Sequence, residues 1–408
     1  MKLSGFESLW WNAVCLYEIM KLNRDLKILS AALFLWAAGE GLFIFTLPLY
    51  MGSLGADSKQ IGLLYSLNSI ALALATIPAG LAADHWGPRG GLISGWIMGI
   101  VAGAVMLLSP NLTIFGVGWV MYGLTGWVLA PMSAYITRAR GGLTPERALT
   151  GVFSMFSAGY IISPALGGYI GEALDLRANF LIATVLFVIS TVLVFAVRHQ
   201  PPHPAEDRVH PAELLVNRRF VGFAALVFGV AAVLYLGMPL APKFLSDVKH
   251  VNIAQIGWFG SINAIGGFLL NQYLGRRPPR RGFMVTLSLI LLYGLILLQT
   301  SWVGWLALAY LLRGGYFTVR AQVNALVTRV VPSSQFGAAF ALAEVVISGA
   351  NTIAPFVAGW LYAFSPGLPF QIMIGLIPVA ALLMWFFAPR QATEPMLEPV
   401  TTSDKVAG

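Results

Sequence analysis

Long apolar runs, separated by short polar clusters, organise this chain from residue 27 to residue 389. A helix that crosses a membrane needs about 20 mainly apolar residues. Runs at 27–51, 60–83, 90–109, 113–136, 149–172, 177–197, 219–244, 254–274, 283–299, 303–327, 336–362 and 369–389 meet that requirement. Lipid offers no partner for backbone N–H and C=O groups, so each run is predicted to be a helix. Several connections are only a few residues long, which makes neighbouring helices antiparallel. The expected fold is an all-α membrane protein with 12 transmembrane helices.

The longest polar stretch, "RHQPPHPAEDRVHPAELLVNRR" at 198–219, divides these spans six and six. Its prolines and mixed charges predict a linker lying on the membrane face. Ahead of the first run, "LWWNAVCLYEIM" predicts an amphipathic surface helix with Trp10, Trp11 and Tyr17 at headgroup level. A leader without fixed structure is the alternative reading. The expected organisation is an interfacial segment at 1–26, a six-helix bundle at 27–197, a linker at 198–218, a second bundle at 219–390 and a tail at 391–408.

The two halves repeat each other. "QIGLLYSLNSI" at 60–70 returns as "QIGWFGSINAI" at 255–265, an offset of 195. "LPL" at 47–49 returns as "MPL" at 238–240, and Thr137-Arg138 as Thr328-Arg329, both at an offset of 191. Two six-helix bundles of common ancestry are the simplest account, and such repeats are frequent in transporters.

Composition agrees with the pattern. The chain is 58% hydrophobic and 10% charged, against about 25% charged for a soluble domain. Charge adds an orientation. Of the 25 Lys and Arg residues, 19 fall on the side that holds both termini, 4 on the other side and 2 within span ten. Basic residues gather on the cytoplasmic side, so both termini are expected inside a multi-pass inner-membrane protein. The basic residues are scattered over many short loops, which is a poor nucleic-acid surface. The single cysteine, Cys15, excludes a disulfide framework, and the five His residues have no ligand spacing. No His-Glu-x-x-His, Gly-x-Ser-x-Gly or P-loop motif is present, so neither catalysis nor a metal or cofactor is expected.

Two motifs carry a family likeness. "GLAADHWGPRG" at 80–90 resembles the loop between spans two and three of the major facilitator superfamily: Gly80, Asp84, Gly87 and Arg89 match, His85 takes a basic slot, and Pro88 replaces an Arg. "FLLNQYLGRR" is a worn second copy, with Gly275, Arg276 and Arg277 matching and Gln272 in place of the Asp. The resemblance implies that these loops latch the cytoplasmic ends of the bundles together. The lost Arg implies a weaker latch and a bias toward the inward-open state. A tight loop that only fixes topology is the plainer reading. "GYIISPALGG" in span five resembles the motif of the superfamily's antiporter branches through Gly159, Pro164, Gly167 and Gly168, with Ser163 for the middle Gly. Span eleven keeps the spacing as Ala350, Ala354, Pro355, Ala358 and Gly359. Such small residues allow close helix approach and Pro bends the helix, so ordinary packing is the alternative reading. A third family motif puts an Arg in span four. Here that place is held by Tyr122, while Arg313 stands at the repeat-related place in span ten.

Four ionisable residues lie well inside spans: Glu40, Arg313, Arg320 and Glu344. A charge at the bilayer centre costs at least about 2.5–3.5 kcal/mol, so such groups face a cavity or a partner. The resemblance implies that spans one, four, seven and ten line a central cavity. Glu40 and Arg313 would then face it at similar depth. Glu344 and Arg320 could pair, as a brace or as a proton device. Burial disfavours a charged carboxylate and a guanidinium favours it, so a Glu alternating between the two can load and release a proton. Trp36, Phe43, Tyr122, Trp127 and Tyr235 are candidate apolar lining, with Asn68, Asn263, Asn324 and Asn351 as polar handles. For Asn68 and Asn263 a helix–helix hydrogen bond is the simpler role. A greasy pocket suits lipophilic or cationic compounds, and Arg313 an anionic one.

The resemblance therefore implies a monomeric secondary transporter, with a small-molecule substrate and protons as its partners. Within the superfamily it is most like the drug:proton antiporter branch. The alternative is a symporter or uniporter for a sugar, organic anion or lipid-like solute.

Overall fold

The computed structural model describes residues 22–201, 214, 216–331 and 335–389, apart from the surroundings of residues 77, 80–86 and 337. Among the described residues all secondary structure is helical. Ten helical stretches are long and apolar enough to cross a membrane. The two remaining expected spans are helical as well. Span two, Ser58–Trp86, carries charges at both ends, and span ten is broken into Val303–Arg313, a 3-10 turn at Gly314–Thr318 and Val319–Val327. Span four has the same construction: Leu112–Gly123, a 3-10 turn at Leu124–Val128 and Leu129–Ala139. The two breaks stand at repeat-related positions.

Short polar residues start the helices. Asp57 and Gln60 form a reciprocal capping box at the head of span two, and Asn252 accepts from the Gln255 backbone N–H at 2.8 Å at the head of span eight. The repeated Gln-Ile-Gly is therefore the first turn of both helices. Asn23 caps span one, Arg24–Ile44, by accepting from the Leu26 N–H at 2.9 Å. Span one thus begins three residues before the apolar run, because a capped polar turn leads into it, and Asp25 and Leu26 are buried. Of the interfacial segment expected at 1–26, residues 1–21 lie outside the described residues and 24–26 belong to span one, while most of the linker (202–213) and the tail from 390 also lie outside them.

The face where the described chain begins and ends is here termed proximal, the opposite face distal. Within the N-terminal half, span one packs along spans five (Pro145–Ala173) and six (Leu176–Phe195), and span three (Pro88–Leu108) along spans four and six. The C-terminal half repeats this with span seven (Arg218–Tyr235) against spans eleven (Phe336–Phe364) and twelve (Leu368–Phe387). Between the halves, span five packs on span eight (Ile253–Gly275), and span two on span eleven.

Candidate functional site

The two seams between the halves are built from the repeated segment. A Cβ at Gly62 would come within 2.3 Å of the Pro355 carbonyl oxygen, and one at Gly257 within 2.4 Å of that of Pro164. Only a residue without a side chain allows this approach. The serine one helical turn further on then bonds across. Ser66 Oγ donates to the Thr352 carbonyl, and Ser261 Oγ accepts from the Ala165 N–H at 3.0 Å. Proline opens one further bond at the span two–eleven seam. A proline within a helix has no N–H for the carbonyl four residues back. The carbonyl freed by Pro355 belongs to Asn351, and Ser69 Oγ donates to it at 3.5 Å.

Both seams lie toward the distal face. Ser58 Oγ donates to the Gly359 carbonyl at 3.0 Å, Lys59 sits 4.0 Å over the Trp360 ring, and Glu172 accepts from the Ala254 N–H at 2.7 Å. At the proximal ends of the same helices the fit ends: a Cβ at Gly275 would meet nothing within 4 Å, and one at Gly151 only Leu22, which precedes span one. The small-residue motif of span five serves two neighbours. Gly159, Ser163 and Gly167 meet span one, at the Phe34, Ala37 and Leu42 carbonyls, while Pro164 and Gly168 meet span eight. In span eleven Ala354 is buried while Pro355 and Gly359 meet span two.

At mid-depth, polar groups of the two halves converge. Glu40 of span one accepts from the Tyr160 hydroxyl of span five at 3.1 Å. Tyr122 stacks among Trp36, Trp119 and Phe187, with its buried hydroxyl beside the Glu40 carboxyl. Across the divide, Arg313 lies over Phe45 of the N-terminal half and Tyr310 of its own, 5.5 and 5.3 Å from the ring centroids. One of its nitrogens reaches the Met238 carbonyl at 3.4 Å, while Nε and Nη1 are buried without a partner. A buried unpaired guanidinium is costly, which marks this point as a place for a ligand or water. Toward the proximal side, Arg320 and Glu344 form an ion pair at 2.7 Å with both side chains about half exposed. Beside them Tyr235 stacks on Tyr316, whose hydroxyl donates to Asn351 Oδ1 at 2.7 Å.

Other candidates sit elsewhere. Trp36 is a core residue, wedged against Gly99 and Trp96 inside its own half, and Phe43 is core beside Phe180. Trp127 faces Gly91 of span three, beside Pro131 of its own span. Asn68 donates to the Trp119 carbonyl at 2.7 Å, a helix–helix bond within one half. Asn263 is buried, with its backbone carbonyl against Gly314 and its Oδ1 unpartnered. Asn324 is exposed near the proximal end of span ten. In the span two–three loop, Gly87 has φ +80, a conformation that favours glycine. Arg89 donates to the Phe195 carbonyl of its own half at 2.9 Å. Gly80 and Asp84 fall in the last turns of span two, and their surroundings lie outside the described residues. Arg277, just past the end of span eight, donates to the Tyr273 hydroxyl of that helix, and Arg276 has an interaction of its own.

Sequence reasoning missed Tyr160, Tyr316, Phe45 and the seam serines. The serines were legible, since Ser66 and Ser261 recur at the repeat offset. Tyr160 stood inside the quoted span-five motif. Phe45 carried no sequence signal, because its place opposite Arg313 depends on how the halves dock.

The family described as Major Facilitator Superfamily matches residues 29–321 and, again, 223–403. Quinolone resistance protein NorA of Staphylococcus aureus (strain COL) is 23% identical over 372 residues, 87% of this chain and 94% of its own. Multidrug resistance protein 1 of Bacillus subtilis (strain 168) is 22% identical over 379 residues, 90% of this chain and 97% of its own. A putative sugar efflux transporter of Deinococcus radiodurans is 22% identical over 393 residues, 91% and 98%. Among solved structures, nucleoside transporter NupG superposes with a TM-score of 0.75 at 16% identity, covering 90% of this chain and 98% of that one. A bacterial homolog of the human lysosomal transporter Spinster, inward-facing and occupied, gives 0.68 at 14% identity, covering 90% and 98%.

Proposed function

This multi-pass membrane protein belongs to the major facilitator superfamily, a family of transporters, and we propose that it exports lipophilic small molecules by alternating access in exchange for protons. The observation that carries the proposal is the one-sided closure. Gly62, Ser66, Gly257 and Ser261 join the halves distally, while the polar cluster of Glu40, Tyr160, Arg313, Arg320 and Glu344 lies below that seal. With the basic-rich proximal face in the cytoplasm, this is the inward-open half of a cycle. The same-half partners of Arg277 and Arg89 fit a released cytoplasmic latch. Rocking about the seams would expose the same cluster to the other side.

Glu40 is the proposed proton carrier. It is the carboxyl nearest the middle of the membrane, and its partner Tyr160 belongs to the helix that forms a seam. Movement of span five therefore changes the surroundings of the carboxyl, which is what coupling requires. The names of the relatives NorA and multidrug resistance protein 1 support drug efflux as the direction and substrate class.

The test is efflux of a lipophilic dye from proteoliposomes with an imposed pH gradient. The expected result is gradient-driven efflux by the natural protein and gradient-independent leakage only for Glu40→Gln. Efflux that ignores the gradient in the natural protein would overturn proton coupling. The two unpartnered nitrogens of Arg313 favour a second reading, a carrier of organic anions. Accumulation of an anion, lost in Arg313→Gln, would select it.

A further inference from the structure

The proximal base of the C-terminal half contains a cavity of about 590 Å³ between the start of span seven and the ends of spans ten and twelve. Arg218, Arg219 and Arg329 line it together with Phe223, Leu226 and Phe387. Among the described residues none of the three guanidinium groups has an ion pair or hydrogen bond. The described carboxylates of this half are Asp247 and Glu344, and both are engaged elsewhere, with Lys243 and Arg320.

The matching place in the N-terminal half explains what is missing. Asn23 and Asn217 cap spans one and seven, so Arg24 aligns with Arg218, Asp25 with Arg219, and buried Leu26 with buried Phe220. Arg138 aligns with Arg329 through the repeat offset. In the N-terminal half this junction holds an acid of its own. Asp25 is buried and bonds Arg198 at 3.1 Å and the Tyr135 hydroxyl at 3.3 Å, and Arg138 donates to the Pro201 carbonyl at 2.9 Å. In the C-terminal half an arginine replaces the acid. The same junction has become a cavity lined by three cationic forks without an anion.

We propose that this cavity binds the phosphate of an anionic phospholipid headgroup. Arginine forks match phosphate oxygens and give charge-assisted bonds. Basic pockets between transmembrane helices on the cytoplasmic side suit anionic lipids. The cavity lies where helices begin and end, at headgroup level. Its lining includes apolar side chains that stay exposed, Phe387 among them at 70%. Acyl chains would cover such side chains, whereas a free phosphate would leave them in water.

The experiment uses the full chain in a zwitterionic detergent. Short-chain phosphatidylglycerol is titrated while thermal unfolding is followed and native mass spectra are recorded, with phosphatidylcholine, inorganic phosphate and glycerol phosphate in parallel. Phosphatidylglycerol is expected to raise the unfolding temperature and to give a one-to-one adduct. Each removed guanidinium is expected to weaken binding by roughly fivefold, so Arg219→Gln with Arg329→Gln weakens it by roughly 25-fold. Arg219→Asp, which installs the acid of the other half, should abolish binding. Arg24→Gln, at the matched position of the half that keeps its acid, should leave it unchanged. A parallel response to phosphatidylcholine, saturation by inorganic phosphate alone, or a response seen only after removal of residues 391–408 would each overturn the proposal. So would unchanged binding in a folded Arg219→Gln/Arg329→Gln protein, with Arg24→Gln serving as the folding control.

Discussion

The two halves of this protein share one plan and carry different charges on it. The plan is visible in the repeated capping turns, the 3-10 breaks of spans four and ten, and the glycine–proline seams. The charges are not repeated. Glu40 and its partner Tyr160 belong to the N-terminal half, whereas the under-satisfied Arg313 belongs to the C-terminal half. At the proximal base Asp25 faces Arg198 in one half, and its counterpart in the other is Arg219. Repetition thus fixes packing, and departures from repetition mark where the molecule meets something other than itself.

The sharpest way to break this comparison is to erase the mid-membrane charges one half at a time. Glu40→Gln is expected to end gradient-driven transport while dye binding persists. Arg313→Gln should change which substrates are carried while a pH gradient still drives transport of neutral or cationic ones. If both substitutions produced the same defect, the halves would not have separate roles. Next in size are the seams. Gly257→Ala places a Cβ within 2.4 Å of the Pro164 carbonyl and 2.6 Å of the Gly168 Cα. Overpacking of this kind costs about 1–3 kcal/mol, paid only while the distal side is closed. The variant should therefore expose a cysteine introduced at the distal end of span eight to labelling. Gly62→Ala should do the same at span two, and unequal responses would show which seam opens first.

Smaller effects are expected at the proximal base. Asp25→Ala leaves the Tyr135 hydroxyl without its carboxylate, for about 1 kcal/mol of lost stability, held to that level because the Arg198 side chain is 68% exposed. Thermal unfolding with and without the substitution measures it. The smallest expected effects come from Ser66→Ala and Ser261→Ala. Each removes one hydrogen bond between helices, a contribution averaging about 0.6 kcal/mol in membranes. Their near-equality in the same unfolding measurement is itself a test that the seams are equivalent.

Much of this was legible in the order of residues. Hydropathy located the helices because lipid permits little else, and the repeat held the seam residues at matched positions, although only the docked geometry shows that they form seams. Gly62, Ser66, Gly257 and Ser261 sat at matched positions in the two copies. Residues inside a bundle were harder to assign. Trp36 and Trp127 read as cavity lining because aromatic residues suit a greasy pocket, yet they fill spaces against Gly99 and Gly91 within one half. Apolar lining and apolar core have the same composition, so only helix rotation separates them. The pairing of Phe45 with Arg313 depends on docking between halves, which no local pattern records.

The deep parts of the seams are made of hydroxyls, carbonyls and bare backbone. Each such bond can be handed to a water molecule singly. Parting can then advance like a zip from the rim inward, one small step at a time, and salt should scarcely alter its pace.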